Sequence, residues 1–377
     1  MRTRFGKTLA KLDSGRDNNF NLIRMVAASC VLVSHAFPIA LGVGTLEPFE
    51  AETGFTLGWV CVAIFFAISG YLITRSYDRK PRIETWITAR IVRLFPALIV
   101  VSGLIAMLYG PLFTTLSPQS YFSDPATYTY ILRNVTLVKI QYSLPGVFET
   151  MPMPDAINGS LWTLLHEVAC YVAVMVAGIL GLLTSRRRFV PALLLYFGAY
   201  WATGLPIVAD LIPAKLAALR FLSLPFAIGA AFYALRENIV LSWLVAALLA
   251  LLAALLIDTP LFRSAFVLAL AYATFVFAYL PSGPIRRYNA LGDYSYGIYI
   301  YAFPVQQAAV AIAGPMNPLT NMLISFPVTL VCAIASWYLI EKPSLARRGA
   351  LADLLTSWRT KLQPTRHKAD VVENASP

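Results

Sequence analysis

Apolar runs of about twenty residues, the length that carries an α-helix across ~30 Å of hydrocarbon, recur along this chain and leave few folds open to it. Ten such runs are predicted as membrane segments, at 20–41, 55–76, 88–110, 160–183, 189–205, 215–235, 240–257, 262–280, 293–314 and 320–341. Only helices and closed barrels satisfy every backbone group in lipid, and these runs are too long and too uniformly apolar for barrel strands. The expected class is all-α: a polytopic membrane protein, a bundle of about ten transmembrane helices. With 58% hydrophobic and 13% charged residues, the chain has too few charges to cover a soluble globule.

Basic residues gather in alternate connections: MRTRFGKTLAKLDSGR, DRKPR, SRRR, PIRRY and the tail beginning LARR. The connections between them, such as GVGTLEPFEAETG, carry few positive charges, so the basic ones are assigned to the cytoplasm, both termini with them. The net charge of +11 then reads as topology and contact with the anionic head groups of the bilayer. No basic cluster is interleaved with stacking aromatics, so no nucleic-acid partner is expected. The first apolar run is too long for a signal peptide and lacks a small-residue cleavage site, so it is expected to stay as the first helix. Residues 1–345 are expected to form one transmembrane domain, and 346–377 a cytoplasmic tail with a surface helix, in which His367 is a solvated bystander. The connection 111–158, rich in Pro, Tyr, Ser and Thr, is expected on the extracytoplasmic side as an ordered cap or a partly re-entrant element. Cys30, Cys61, Cys170 and Cys332 fall one to a segment, which indicates neither disulfides nor a metal knuckle.

Charged and polar residues inside the apolar runs are the candidates for function, because each is costly in lipid. Arg24 and His35 lie eleven positions apart on the first segment, three turns plus about 20°, so both project from one face about 16 Å apart. Arg90 and Arg93 share a face of the third segment at i, i+3, near the depth of Arg24. Glu167, in the fourth segment, is placed about 10 Å from the outer edge, close to the level of His35. Three guanidiniums in the cytoplasmic third suit a phosphate or carboxylate. A neutral histidine oriented by a carboxylate suits deprotonation of a hydroxyl. A donor with phosphates at one end and a reactive group on a long arm fits that spacing, and coenzyme A thioesters are built that way.

Blander readings stand beside these. Arg24, Arg90 and Arg93 also suit snorkelling anchors at the cytoplasmic interface. His166 neighbours Glu167 on another face and reads as a satisfied polar contact. HEVAC is short of a zinc-binding HExxH, with Cys170 in place of the second histidine, so no metal is expected. Ser69 is assigned to small-residue helix packing beside Gly70. Trp162 suits either stacking on a sugar ring or anchoring at the interface.

With these residues in view, the chain resembles the acyltransferase-3 family of integral membrane acyltransferases along nearly its whole length. FNLIRMVAASCVLVSH resembles that family's arginine, ten residues, then histidine. FFAISGYLI resembles its phenylalanine-rich serine-glycine helix, and ARIVRLFP its Arg-x-x-Arg element. SLWTLLHEVACY is similar to its serine-leucine-tryptophan to glutamate stretch, YSYGIYIYAFP to its tyrosine-rich ninth helix, and YLIEKP to its closing Glu-basic-Pro. Two positions depart from the pattern: Asn21, where many relatives carry Asp, removes one possible salt bridge to Arg24, and Ala302 stands where many carry His.

The resemblance implies transfer of an acyl group, most often acetyl, from cytoplasmic acyl-CoA to a hydroxyl of an envelope or exported polysaccharide or glycolipid in the bacterial inner membrane. Some relatives carry a fused extracytoplasmic hydrolase-like domain and this sequence shows none, so transfer is expected to finish within the membrane domain or to pass to a separate protein. In this reading Arg24, Arg90 and Arg93 bind the donor, His35 is the base, Glu167 orients it, and Trp162 meets the glycan acceptor. Polysaccharide synthesis or export machinery is the expected partner. Two alternatives remain: a transporter or flippase for a lipid-linked sugar or small anion, and a non-catalytic subunit of an export complex.

Overall fold

The computed structural model describes residues 7–13, 15 and 17–362. Each of the ten apolar runs folds as a helix: α1 (Phe20–Leu41), α2 (Leu57–Arg79), α3 (Ile83–Phe113), α4 (Gly159–Ile179), α5 (Arg186–Ala202), α6 (Ala214–Ala234), α7 (Trp243–Leu255), α8 (Phe262–Tyr279), α9 (Ser295–Ala313) and α10 (Pro318–Ala346). No β-strand occurs among the described residues. Seven of these helices, α1, α2, α3, α4, α6, α8 and α10, are long and apolar enough to cross a membrane.

The other three fall short for physical reasons. Helix α5 has 17 residues. Helix α7 has 13, about 20 Å at 1.5 Å per residue, with most of its leucines exposed at the edge of the bundle. Helix α9 has 19 residues, but its tyrosines and its Gln306–Gln307 pair lower its apolarity. Most of α9 is buried against α1 and α10, so its side chains meet protein in place of lipid. Gln306 Nε2 donates to the Leu32 carbonyl at 2.9 Å and to Asn321 Oδ1 at 3.0 Å, joining α9 to both neighbours.

Helices α2 and α6 approach to backbone contact. A Cβ at Gly70 would fall 1.9 Å from the Phe226 carbonyl oxygen, and one at Gly229 would fall 2.0 Å from that of Ala67. The small-residue packing expected at Gly70 is therefore present.

At one end of the bundle, the start of α1 meets the end of α8, where Asn19 Nδ2 donates to the Phe277 and Pro281 carbonyls. Asp13, buried, pairs there with Arg75 and Arg79 of α2. At the other end, residues 111–158 form an ordered cap containing the helix Pro125–Thr136. Gln307 Nε2 donates to the carbonyls of Met153 and Ala156 at 2.8 and 2.7 Å, and Asn158 Nδ2 to that of Ile300 at 2.9 Å. Helix Arg348–Leu362 follows α10 and packs on α3. Residues 1–6, 14, 16 and 363–377, His367 included, lie outside the described residues.

Candidate functional site: a cavity of three arginines and one glutamate

Arg24 on α1 and Arg93 on α3 meet at one carboxylate, Asp293, in the turn before α9. Arg24 Nη1 and Arg93 Nη2 each donate to Asp293 Oδ2 at 2.7 Å, and Ser295 Oγ donates to Asp293 Oδ1 at 2.5 Å. Arg93 Nη1 also donates to Glu341 Oε2 at 2.9 Å. Glu341, 1% exposed, ends a π-helical turn, Trp337–Glu341, and accepts a further bond from Ser336 Oγ at 3.1 Å. Single π turns in α-helices are enriched at functional sites, and this one delivers a carboxylate to a buried guanidinium. A buried charge needs such a partner.

Arg90 differs. Its guanidinium lies 5.9 Å from the ring centroids of both Trp86 and Tyr171. Its Nε is buried with no hydrogen-bond partner, and it forms no ion pair among the described residues. Glu167 on α4 accepts hydrogen bonds from the Tyr171 hydroxyl and, at 3.2 Å, from Ser69 Oγ on α2. Arg24, Arg90, Arg93, Glu167 and Ser69 line one cavity of about 120 Å³. Tyr299 of α9 walls it, sharing a hydrogen bond with Thr163 Oγ1 at 2.5 Å and donating to the Ser160 carbonyl at 2.8 Å.

The structure thus joins three predicted arginines and Glu167 in one place and leaves two predicted residues outside it. His35 does not line the cavity. It packs edge-on against Phe303 at 5.3 Å, and its Nδ1 is buried without a partner. Phe303 stands one turn beyond Tyr299, about 6 Å along α9. Trp162 sits half-buried with its ring edge-on to His166 at 5.4 Å, and His166 Nδ1 donates to the Trp162 carbonyl at 3.0 Å.

Two expectations need correction. Glu167 is hydrogen-bonded to Ser69 and Tyr171 and does not hold His35. Arg90 and Glu167 each lie about 10–12 Å in from the N-terminal ends of helices that run in opposite directions, close enough for a long arginine to share the carboxylate's cavity. Arg24 and Arg93 are paired with carboxylates, whereas Arg90 is not. Ser69, assigned only to packing, opens on the cavity while its neighbour Gly70 makes the close contact.

Sequence reasoning missed Asp293, Glu341 and Tyr171. The usable signal was charge balance: buried arginines oblige carboxylates, and Asp293 and Glu341 border the ninth and tenth runs. The salt bridge that Asn21 cannot offer Arg24 comes from Asp293 instead.

A helical bundle with ionisable groups buried around an internal cavity is the architecture of a membrane-embedded enzyme or carrier. An acyltransferase domain matches residues 17–340, and the chain belongs to the acyltransferase-3 family. It is 31% identical over 338 residues to an O-acetyl transferase of Shigella phage Sf6, covering 88% of this chain and 97% of the relative. It is 28% identical over 371 residues to nodulation protein 10 of Rhizobium leguminosarum bv. viciae, covering 90% and 96% respectively. No solved structure matches it. The protein is an O-acetyltransferase-like enzyme with several apolar helices, a multi-pass membrane protein with an O-acyltransferase role.

Proposed function

We propose that the enzyme takes an acyl group, acetyl by preference, from cytoplasmic acyl-CoA and transfers it to a hydroxyl of an envelope or exported polysaccharide or glycolipid at the bacterial inner membrane. All ten helices cross in this reading, and both termini face the cytoplasm, as the basic connections favour. The observation that carries it is Arg90: a half-buried guanidinium whose buried Nε has no partner and which has no carboxylate of its own, facing the same cavity as Glu167. Such a group suits an anionic or carbonyl oxygen of a substrate. Arg24 and Arg93, anchored by Asp293 and Glu341, keep further N–H groups for the same ligand. The cavity is far smaller than the ~300–1,000 Å³ of a pocket that encloses a drug-sized ligand, so it accepts the thin thioester arm while the donor's nucleotide stays at the cytoplasmic mouth.

The acceptor approaches from the capped side, and the unpartnered Nδ1 of His35 suits its hydroxyl. His35 removes the hydroxyl proton, the oxygen bonds to the thioester carbonyl carbon, and the carbon–sulfur bond breaks to release coenzyme A as its thiolate. Phe303 and the Tyr299–Thr163 contact stand between the two levels, so this wall shifts as the acyl group passes. Trp162, near the cap, borders the acceptor's path. The name of the phage relative, an O-acetyl transferase, supports an oxygen acceptor and an acetyl donor.

His35→Ala tests the assignment: glycan acylation, read by mass spectrometry, should be abolished while the protein still accumulates in the membrane. Full acylation by that variant would overturn the role of His35.

A further inference from the structure

The end of the bundle opposite Asp13 carries two arginines that neither topology nor the donor cavity explains. Arg220 lies in the second turn of α6 and Arg263 at the start of α8. The basic-connection bias concentrates arginine on the other face, so topology disfavours both. Neither forms an ion pair among the described residues. Both are held by aromatic rings: Arg263 lies 4.2 Å from the Phe221 centroid, and Arg220 lies 4.2 Å from that of Tyr200. Arg220 is fixed further through Nε and Nη2, which donate to the Tyr200 carbonyl at 3.1 and 2.9 Å. Gly204 makes room for it, since a Cβ there would fall 2.1 Å from Arg220 Nη2.

The two guanidiniums line a cavity of about 600 Å³ to which no carboxylate contributes. Exposed Trp201, Leu205, Ile207 and Leu211 lie in the segment that borders it, as expected of a site at the membrane surface. A second cavity of about 340 Å³ shares Thr53 and Phe262 with the first and is otherwise apolar, running between α7 and α8 along Ala250, Ala254, Leu270 and Ala273. A third, of about 460 Å³, shares Leu270 and Ala273 with the second and continues toward the start of α1. A pair of uncompensated cations thus opens into a long apolar trough on the lipid-facing edge.

We propose that Arg220 and Arg263, with the trough between α7 and α8, form a binding site for a phosphate-headed lipid, its head group on the two guanidiniums and its hydrocarbon chain along the trough. Charge complementarity selects the head, because two guanidiniums without a carboxylate favour a dianionic phosphate by charge-assisted hydrogen bonds. The apolar walls select a chain over a free anion. Short α7 leaves the trough open to the bilayer, which gives the chain its way in. The site is separate from the donor cavity and stands whichever molecule accepts the acyl group.

Native mass spectrometry of the full-length protein in detergent tests this with three probes: a polyprenyl monophosphate, the matching polyprenol and inorganic phosphate. The polyprenyl monophosphate should bind at least about tenfold more tightly than either of the others. Equal binding of the polyprenol would reduce the site to an apolar groove. Equal binding of inorganic phosphate would reduce it to a small-anion site, and no binding of the lipid phosphate would refute it. The double substitution Arg220→Gln/Arg263→Gln should lower lipid-phosphate affinity about tenfold; unchanged affinity would place the lipid elsewhere. Ala250→Phe, at an exposed position, fills the trough without touching the buried core and should weaken binding of both lipids. Unchanged lipid binding in it would also overturn the assignment, and this variant decides the matter if the double variant does not fold.

Discussion

Arg90 and Arg93 sit three positions apart on one face of α3, yet their surroundings divide them. Arg93 bridges two carboxylates. Arg93→Gln strands Glu341 and leaves Asp293 with Arg24 alone, a change worth about 3–5 kcal/mol when a buried pair is broken, and should sharply lower the protein's melting temperature and membrane abundance. Arg90→Gln breaks no ion pair, so it should leave abundance near wild type while transfer falls by about a hundredfold or more; the two variants compared by immunoblot and glycan mass spectrometry check this split. Spacing alone made the two arginines equivalent. Their difference lies in partners 200 and 248 residues away, which no local pattern carries, though the need for such partners follows from the charges themselves. A second residue-scale effect concerns Glu47, in the connection between α1 and α2. Burial raises its carboxyl above the ordinary carboxylate range, Glu50 adds to this, and a hydrogen bond from Ser34 opposes it. An acid whose proton is held more tightly in the folded state adds stability below its unfolded value and loses it as pH climbs through the raised one. The melting temperature should therefore decline across that interval, and Glu47→Gln should flatten the decline.

Elements matter here through irregularities as much as through length. The π turn Trp337–Glu341 holds one residue more than a regular turn, and deleting Leu339 would rotate Glu341 by about 100° relative to the rest of α10. That variant should lose stability much as Glu341→Ala does, and matching melting curves for the two would show that register places the carboxylate. Gly70→Ala should cost at least about 2 kcal/mol, since its new methyl meets the Phe226 carbonyl and neither backbone yields easily; thermal unfolding in detergent measures it. All ten helices were legible as apolar runs because helices packed within a bundle or against lipid bury long continuous apolar stretches. The π turn was not, because a one-residue insertion leaves the hydropathy of its segment unchanged. Helix α9 was found by its apolar residues, and its burial then explained its tyrosines and glutamines. The fold of the 111–158 cap was not legible, because its order depends on Gln307, Asn158 and other distant groups that hold its backbone.

At the scale of the whole molecule, a cavity lined by three arginines and Glu167 lies within the bundle, and His35 lies outside it against Phe303. Sequence placed Arg24 and His35 on one helical stripe and joined Glu167 to His35 by depth, but depth counted along separate helices ignores the reach of long side chains, and Glu167 shares its cavity with the arginines. We propose that Arg90 and its cavity receive an acyl-CoA whose acyl group leaves on a glycan. Sealed vesicles containing the purified enzyme and glycan acceptor, supplied with acetyl-labelled coenzyme A on the face bearing the chain termini, test it most directly. Label should become covalently attached to glycan with wild-type protein, and almost none should with Arg90→Gln at equal abundance. Labelled glycan formed equally by both proteins, or no labelled glycan from the wild type, would contradict it.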